Sequence, residues 1–179
     1  FVSIRTTGFD VKTGTITPSK YSLWPRSGML DESSWTGRMR WRRPGRTAEL
    51  MVFNSKKTFA ILTPANNKIV INPGKNEYKL FTTDGREWSH QLPLRVRAMV
   101  VAGSTLFTAG IPDVVDEKDY WAAFDGKKGG ELWAFSTADG TKLHSLKLES
   151  VPVFDGMAAA GGRLYLTTKD GKILCFGKK

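Results

Sequence analysis

The sequence predicts an all-β protein built from short antiparallel strands. Between residues 129 and 177, apolar runs of four to eight residues are each closed by Asp-Gly or Gly-Gly. These dipeptides tolerate positive φ and form tight hairpin turns, so the runs are expected to be successive strands of a meander. The predicted strands are 132–135, 143–148, 157–160, 164–167 and 173–176.

An internal repeat sets the size of the predicted unit. Three copies of one pattern occur, each an apolar run, a short turn and a second run that holds an aromatic residue. The three aromatics, Phe59, Phe107 and Tyr165, lie 48 and 58 residues apart. Four strands with their turns need about 40–50 residues, which is the size of a propeller blade. The sequence therefore predicts a partial β-propeller of about three four-stranded antiparallel blades plus part of a preceding blade.

The spacing divides the chain, 1–179, into portions of a single propeller. Residues 1–35 are expected to be the end of a preceding blade and an irregular loop, and 36–84 a blade. Residues 85–139 are expected to be a blade with an insertion at 111–130, and 140–179 the last blade. The insertion begins acidic, ends basic and contains aromatic residues, so we expect a short helical turn that packs down.

Composition narrows the classes of function. The 179-residue chain has no apolar run near the ~20 residues that a membrane-spanning helix needs. Its one cysteine, Cys175, cannot form an internal disulfide, and with His90 and His144 it makes no metal-ligand spacing. The chain begins at Phe1 without methionine and is expected to be a mature or excised piece. The net charge of +10 permits affinity for polyanions.

The densest positive charge lies at the start of the first full blade. In the predicted strand 36–43, three arginines share one face, and two more flank the turn Pro44-Gly45. Guanidinium forks suit sulfate, carboxylate or phosphate groups. The alternative is a solvated strand face neutralised by acidic groups of an adjoining blade. The candidate ligand-binding residues are Arg38, Arg40, Arg42, Arg43 and Arg46, with Trp41.

The turns also carry parts of a longer motif. Residues 134–144 read Ala-Phe-Ser-Thr-Ala-Asp-Gly-Thr-Lys-Leu-His, residues 8–14 read Gly-Phe-Asp-Val-Lys-Thr-Gly, and Trp88 follows an Asp-Gly turn. These segments resemble the docking motif Ala-x-Asp-x-x-Thr-Gly-x-x-x-Trp of the quinoprotein-like, or pyrroloquinoline-quinone-type, β-propellers. His144 and Pro18 stand where that motif has tryptophan. The positions that the resemblance makes structural or docking residues are Trp88, Gly14, Gly85, Gly140 and Gly171.

The resemblance implies a portion of a larger ring, similar to the C-terminal end of a large uncharacterised bacterial propeller. Family members have seven or eight blades, so the implied partner is the rest of the propeller, from upstream blades or other chains. By the same analogy the protein is expected in the periplasm or at the cell surface. The family's dehydrogenases use the quinone, calcium and a vicinal disulfide, and adjacent cysteines are absent here. No cofactor, metal site or catalytic residue is therefore predicted.

Three functions follow as hypotheses. The first is a non-catalytic scaffold or binding module for another protein or for an acidic or sulfated glycan. The second is a fragment of a quinone-dependent dehydrogenase whose site lies in absent blades. The third is polyanion or nucleic-acid binding through residues 38–46, with nucleic acid the less expected ligand because no nucleic-acid motif is present.

Overall fold

The computed structural model describes residues 2–4, 7–9, 12–17, 41–43, 46–48, 50–62, 73–75, 78–83 and 88–177. Within these ranges all regular secondary structure is β-strand, and the strands form four open antiparallel sheets, called sheets I to IV in chain order. The predicted all-β class is confirmed at this level. No helix in the described ranges is long and apolar enough to cross a membrane.

The strands follow one another closely along the chain. Sheet I has the order β3-β2-β1-β4-β5, with bounds Val2–Ile4 (β1), Thr7–Phe9 (β2), Ile16–Thr17 (β3), Trp41–Arg43 (β4) and Arg46–Ala48 (β5). Sheet II is the meander of Leu50–Phe53 (β6), Thr58–Leu62 (β7), Tyr78–Thr83 (β8) and Ser89–Leu92 (β9). Sheet III is the meander of Leu94–Ala102 (β10), Thr105–Pro112 (β11), Gly130–Ser136 (β12) and Lys142–Leu148 (β13). Sheet IV has the three strands Pro152–Ala160 (β14), Arg163–Thr168 (β15) and Ile173–Phe176 (β16).

Local turn chemistry explains the meanders. In the β14–β15 hairpin, Ala160 pairs with Arg163, and the two residues between them are Gly161 and Gly162, with φ of 56° and 72°. A two-residue type I′ turn needs positive φ at both central positions and matches the twist of the flanking strands. The glycine pair therefore fixes the register of this hairpin, as the sequence predicted.

The sheets do not coincide with the predicted blades: sheet II begins at Leu50, two strands after residue 36 because β4 and β5 belong to sheet I, and sheets III and IV each begin one strand after residues 85 and 140. The strand that follows each Asp-Gly turn pairs with the strand before it, so β9 pairs with β8 and β13 pairs with β12. A tight hairpin joins antiparallel neighbours, which is why these strands close a sheet instead of opening the next one. Sheets III and IV thus begin at Leu94 and Pro152, and not at residues 85 and 140.

Consecutive sheets pack face to face. We call the face that meets the next sheet along the chain the front, and the opposite face the back. The core between sheets II and III contains Leu50, Phe59, Ile61, Tyr78, Leu80, Leu92, Leu94, Val96, Met99, Leu106, Trp133 and Phe135. The core between sheets III and IV contains Ala98, Ala109, Leu132, Leu148, Leu164 and Leu166. A smaller cluster of Ala48, Ala60 and Phe81 joins sheets I and II.

The sheets approach one another along their first strands. Strand β10 contacts β6 on one side and β14 on the other. Strand β13, the fourth of sheet III, is exposed at every residue except Leu148. The apolar layers are therefore densest near the first strands, and the fourth strands lie towards solvent.

Candidate functional site

The structure places part of the predicted arginine set on one hairpin. Trp41, Arg42 and Arg43 form β4, and Arg46 begins β5. Their backbone register pairs Arg43 with Arg46. Arg38 and Arg40 lie outside the described residues, and ligand binding by the set stays a prediction.

Two of the predicted docking residues meet between sheets II and III. Trp88 lies just before β9, and Gly140 lies in the turn between β12 and β13. A Cβ built on Gly140 would stand 2.6 Å from Cε3 of Trp88 and 2.5 Å from Nε2 of His90, and the φ of Gly140 is +76°. The indole also lies 6.0 Å from the ring of Phe59 and 5.5 Å from that of His90. Only glycine fits this turn beneath the indole.

A lysine that the sequence did not single out for docking holds the same turn. Lys57, at the tip of the β6–β7 hairpin, donates from Nζ to the carbonyl oxygen of Thr137 at 3.0 Å and lies 3.5 Å from that of Ala138. The hairpin tip itself is closed by Asn54, whose Oδ1 accepts from the backbone amide of Lys57 at 2.7 Å. Sheet II thus contacts the β12–β13 turn at two points, through Trp88 and through Lys57.

The equivalent position between sheets III and IV is built differently. In sheet II, the backbone amide of Thr82 donates a 3.1 Å hydrogen bond to the carbonyl oxygen of Trp88. Ala134 is the residue of sheet III that corresponds to Thr82, and it pairs with His144. His144 therefore stands where sheet II has Trp88. Beside it lies a cavity of about 620 Å³. Its lining residues include Phe107, Ala134, His144, Leu146, Gly161 and Phe176.

The front face of sheet IV is open within the described part of the chain. Tyr165 pairs with Ala158, as Phe107 pairs with Val100 in sheet III and Phe59 with Val52 in sheet II. Phe59 is fully buried against sheet III, and Phe107 packs in the layer against sheet IV. On the face of Tyr165, by contrast, Ile173 is 70% exposed and Cys175 is also exposed.

The insertion between β11 and β12 has an ordered base. Asp113, 8% exposed, accepts a 2.9 Å hydrogen bond at Oδ1 from the amide of Gly74 in sheet II's β7–β8 connection. On the other side Ile111 and Ala123 pack with Val151 at the entry to sheet IV. Residues 113–129 are thereby tied to both neighbouring sheets, and they form turns and no helix.

Two aromatic side chains of the insertion point to solvent. We call Tyr120 and Trp121 the aromatic platform; they are 48% and 44% exposed, with ring centroids 5.2 Å apart in an edge-on arrangement. Trp121 also contacts Phe124 edge-on at 5.8 Å, and the guanidinium of Arg95 lies 4.7 Å from the Phe124 ring. The insertion was expected to pack against the sheets. This holds for Ala122 and Ala123, which are buried, and for the half-buried Phe124, but not for the platform.

The insertion that carries the platform also contains two charged pairs. Lys128 Nζ lies 2.6 Å from Asp116 Oδ2, and Lys127 pairs with Asp119. The ammonium of Lys128 is the main cause that lowers the pKa of Asp116, and the Asp119 carboxylate raises the pKa of Lys127. Because these pairs are exposed, they contribute little to stability.

The remaining predicted glycines serve turns. Gly14 and Gly171 have φ of 70° and 80°, and a Cβ at either would meet no atom within 4 Å. Gly85 lies outside the described residues. At Gly171's turn, hydrogen bonds from Lys172 and Thr168 lower the pKa of Asp170 to about 2. This aspartate is therefore a turn carboxylate that is ionised at neutral pH.

In the described ranges, no group of three His, Cys, Asp or Glu residues is placed so that it could hold a metal ion.

No family model matches the chain, and no curated protein matches it. Among solved structures it is similar to the crystal structure of the computationally designed Ika4 protein, at 11% identity and a TM-score of 0.44. The match covers 71% of this chain and 63% of the designed one, so the chain spans less than two thirds of that protein's length. A likeness of this size assigns neither a fold family nor a function.

Proposed function

We propose that the sheets are consecutive blades of a β-propeller, of which this chain forms a part. The repeated register of Phe59, Phe107 and Tyr165 supports this, because each aromatic lies on the front face of its sheet. The adjacency of the first strands β6, β10 and β14 supports a common axis along them. A ring also explains the open front of sheet IV, which a further blade would cover.

We propose that this propeller portion is a non-catalytic scaffold that binds a protein partner through the aromatic platform. The exposure of Tyr120 and Trp121 on an ordered base carries the proposal. Tyrosine and tryptophan supply large contact areas at low cost in side-chain entropy and are enriched at the energetic centres of protein interfaces. The two ion pairs of the same insertion are polar groups of the kind found at the rim of such centres.

A sulfated or acidic glycan is a second candidate ligand. The backbone register of β4 and β5 pairs Arg43 with Arg46, so two arginines occupy paired positions of adjacent strands. Guanidinium groups bind sulfate or carboxylate groups through two parallel hydrogen bonds. Heparin retention of the full-length protein should fall after Arg42, Arg43 and Arg46 are all changed to Ser, and unchanged retention would contradict glycan binding by the hairpin.

The platform is tested with the full-length protein as bait in an extract of its native source. The double variant Tyr120→Ala/Trp121→Ala is expected to lose the captured protein, and Phe154→Ala is the matched control because Phe154 is an exposed aromatic on sheet IV. Circular dichroism should show both variants folded. Equal capture by the double variant would contradict the proposal, as would quinone-dependent turnover by the full-length protein.

A further inference from the structure

The wall that sheet III supplies to the cavity leaves room for an aromatic ring. It is a cross-strand row in which Ala134 pairs with Phe107 and with His144. In sheet II, Trp88 stands in the place of His144, and its indole lies 6.0 Å from the ring of Phe59. Alanine and histidine fill less of the corresponding space in sheet III. The space over Ala134 therefore matches a flat ring of the size of an indole.

The wall that sheet IV supplies is apolar. Leu164 pairs with Ala159 and with Phe176, and all three residues line the cavity. Leu146 of β13, which is 41% exposed, also lines it. The cavity volume of about 620 Å³ lies within the range of small-molecule sites, which are lined mostly by apolar and aromatic side chains. The cavity therefore suits a small molecule with an apolar body.

The charge of the lining selects an anionic ligand. Among the described lining residues, the ionisable side chains are Arg163 and His144, and none is acidic. Within the described part of the chain, neither of these two side chains has a hydrogen-bond or ion-pair partner. A carboxylate complements such a guanidinium through two parallel hydrogen bonds. The chemistry of the lining therefore favours an apolar molecule that carries a carboxylate.

Glycines leave the approach to Arg163 open. Gly161 and Gly162 line the cavity at the β14–β15 turn, and a Cβ built on either would meet no atom within 4 Å. Arg163 follows them at the exposed start of β15. A Cβ built on Gly177 would stand 3.1 Å from Cγ of Arg163, so the arginine stem lies against this glycine. A ligand can therefore place its ring between the sheets and keep its carboxylate at the rim.

We propose that the cavity between sheets III and IV binds a small aromatic monocarboxylic acid, with its ring over Ala134 and its carboxylate on the guanidinium of Arg163. The site is separate from the aromatic platform, so the inference goes beyond the proposed scaffold function. It depends on sheets III and IV alone and not on a closed ring of blades. Because the ligand binds the folded junction, it also stabilises the packing of these two sheets.

Calorimetric titration of the 179-residue chain with naphthoate tests the proposal. Naphthylmethanol is the probe with the same ring and no charge, and octanoate is the probe with the charge and no ring. We expect naphthoate to bind at least about tenfold more tightly than either, because the charged pair and the ring contacts both contribute. Arg163→Gln should remove the advantage of the acid over the alcohol. The matched control Lys147→Gln, at an exposed lysine of β13 outside the cavity lining, should keep it.

Two further variants locate the site. His144→Trp should abolish binding of the acid and the alcohol while circular dichroism shows a folded chain, because the indole takes the place of the ligand ring. Tyr120→Ala/Trp121→Ala should bind naphthoate unchanged, since the platform lies outside the cavity lining.

The proposal is overturned if naphthoate does not bind, if naphthylmethanol or octanoate binds as tightly, or if Lys147→Gln weakens binding as much as Arg163→Gln. Binding that survives His144→Trp, or that is lost in the platform variant, would also overturn it. Capture of a protein through the platform is measured separately, so the two proposals fail independently.

Discussion

The junction between sheets II and III and the junction between sheets III and IV use the same strand register with different fillings. In the first, Trp88 lies on the turn at Gly140, and Lys57 holds the carbonyl of Thr137. In the second, His144 replaces the tryptophan, and a cavity of about 620 Å³ lies beside it. The inner layers of both junctions are closed by buried apolar side chains, so the difference is confined to the outer strands.

This contrast shows that the sheets are joined by two separate kinds of contact, one along the inner strands and one at the outer strands. The inner faces join through alternating apolar residues, which any strand of the repeat supplies. In the first junction the outer ends join through one bulky side chain, Trp88, and one glycine turn, at Gly140, that belong to different sheets. The following experiments separate the inner contacts from the outer ones, from the largest expected effect to the smallest.

Removing the indole should cost the most. Trp88→Ala is expected to lower the free energy of unfolding by about 3 kcal/mol, because a large side chain between two sheets is replaced by a cavity. Trp88→Phe should lose much less, since Nε1 of Trp88 is buried without a hydrogen-bond partner among the described residues. Urea unfolding measures both, and a negligible loss for Trp88→Ala would show that packing of the ring does not join these sheets.

The contribution of the glycine turn is tested by comparing two glycine-to-alanine variants. Gly140→Ala is expected to cost about 2–3 kcal/mol, since the new methyl group meets Trp88 and His90 and the residue keeps a positive φ. Gly161→Ala shares the positive φ but meets no atom within 4 Å, so about 1–2 kcal/mol is expected. Equal losses in urea unfolding would assign the whole effect to backbone strain and none to docking.

Converting the second junction towards the first should stabilise the chain. His144→Trp is expected to raise the free energy of unfolding by about 1 kcal/mol, because the indole would bury apolar area in the cavity. Ser145→Trp is the control, because Ser145 is exposed on the opposite face of β13. Thermal unfolding distinguishes them, and a loss of stability on His144→Trp alone would mean that the cavity cannot take an aromatic ring.

The smallest effect concerns the turns of sheet IV at low pH. The pKa of Asp170 lies near 2 in the folded chain against an ordinary value of 3.8, so its ionised form favours folding. That contribution is present above about pH 4 and is lost as the pH falls towards 2. Asp170→Asn should therefore flatten the decline of stability across this interval.

Asp155 gives the opposite sign. Partial burial raises the pKa of this carboxyl, so its protonated form favours folding and the contribution is lost as the pH rises through the folded pKa. Asp155→Asn should remove that dependence. Thermal unfolding between pH 2 and 6 compares the two variants, and the same change of slope in both would contradict the assignment.

Local chemistry made the strands predictable. The predicted strand 173–176 coincides with β16, and the other four predicted strands all lie within observed ones. Alternation and glycine turns act over a few neighbouring residues, so the sequence displays them directly. The assignment of strands to sheets was shifted because a pattern of repeats does not show where one sheet ends.

Contacts between distant residues were beyond the sequence pattern. Lys57 and Thr137 are 80 residues apart, and Gly74 and Asp113 are 39 apart. Trp88 and Gly140 were singled out only through a resemblance to a family motif, and the pattern did not show that they would touch. The exposure of Tyr120 and Trp121 was also missed, because an apolar side chain in a loop is expected to pack unless the sheets beneath it are already covered.

Amide hydrogen exchange in the 179-residue chain tests most directly the claim that one junction is complete and the other open. The amides of β12 that face β13 should be strongly protected, and the matching outward amides of β16 should exchange at least about a hundred times faster, near the rate of exposed loops. Comparable protection of β12 and β16 would contradict the account, because the last sheet would then already have its fourth strand.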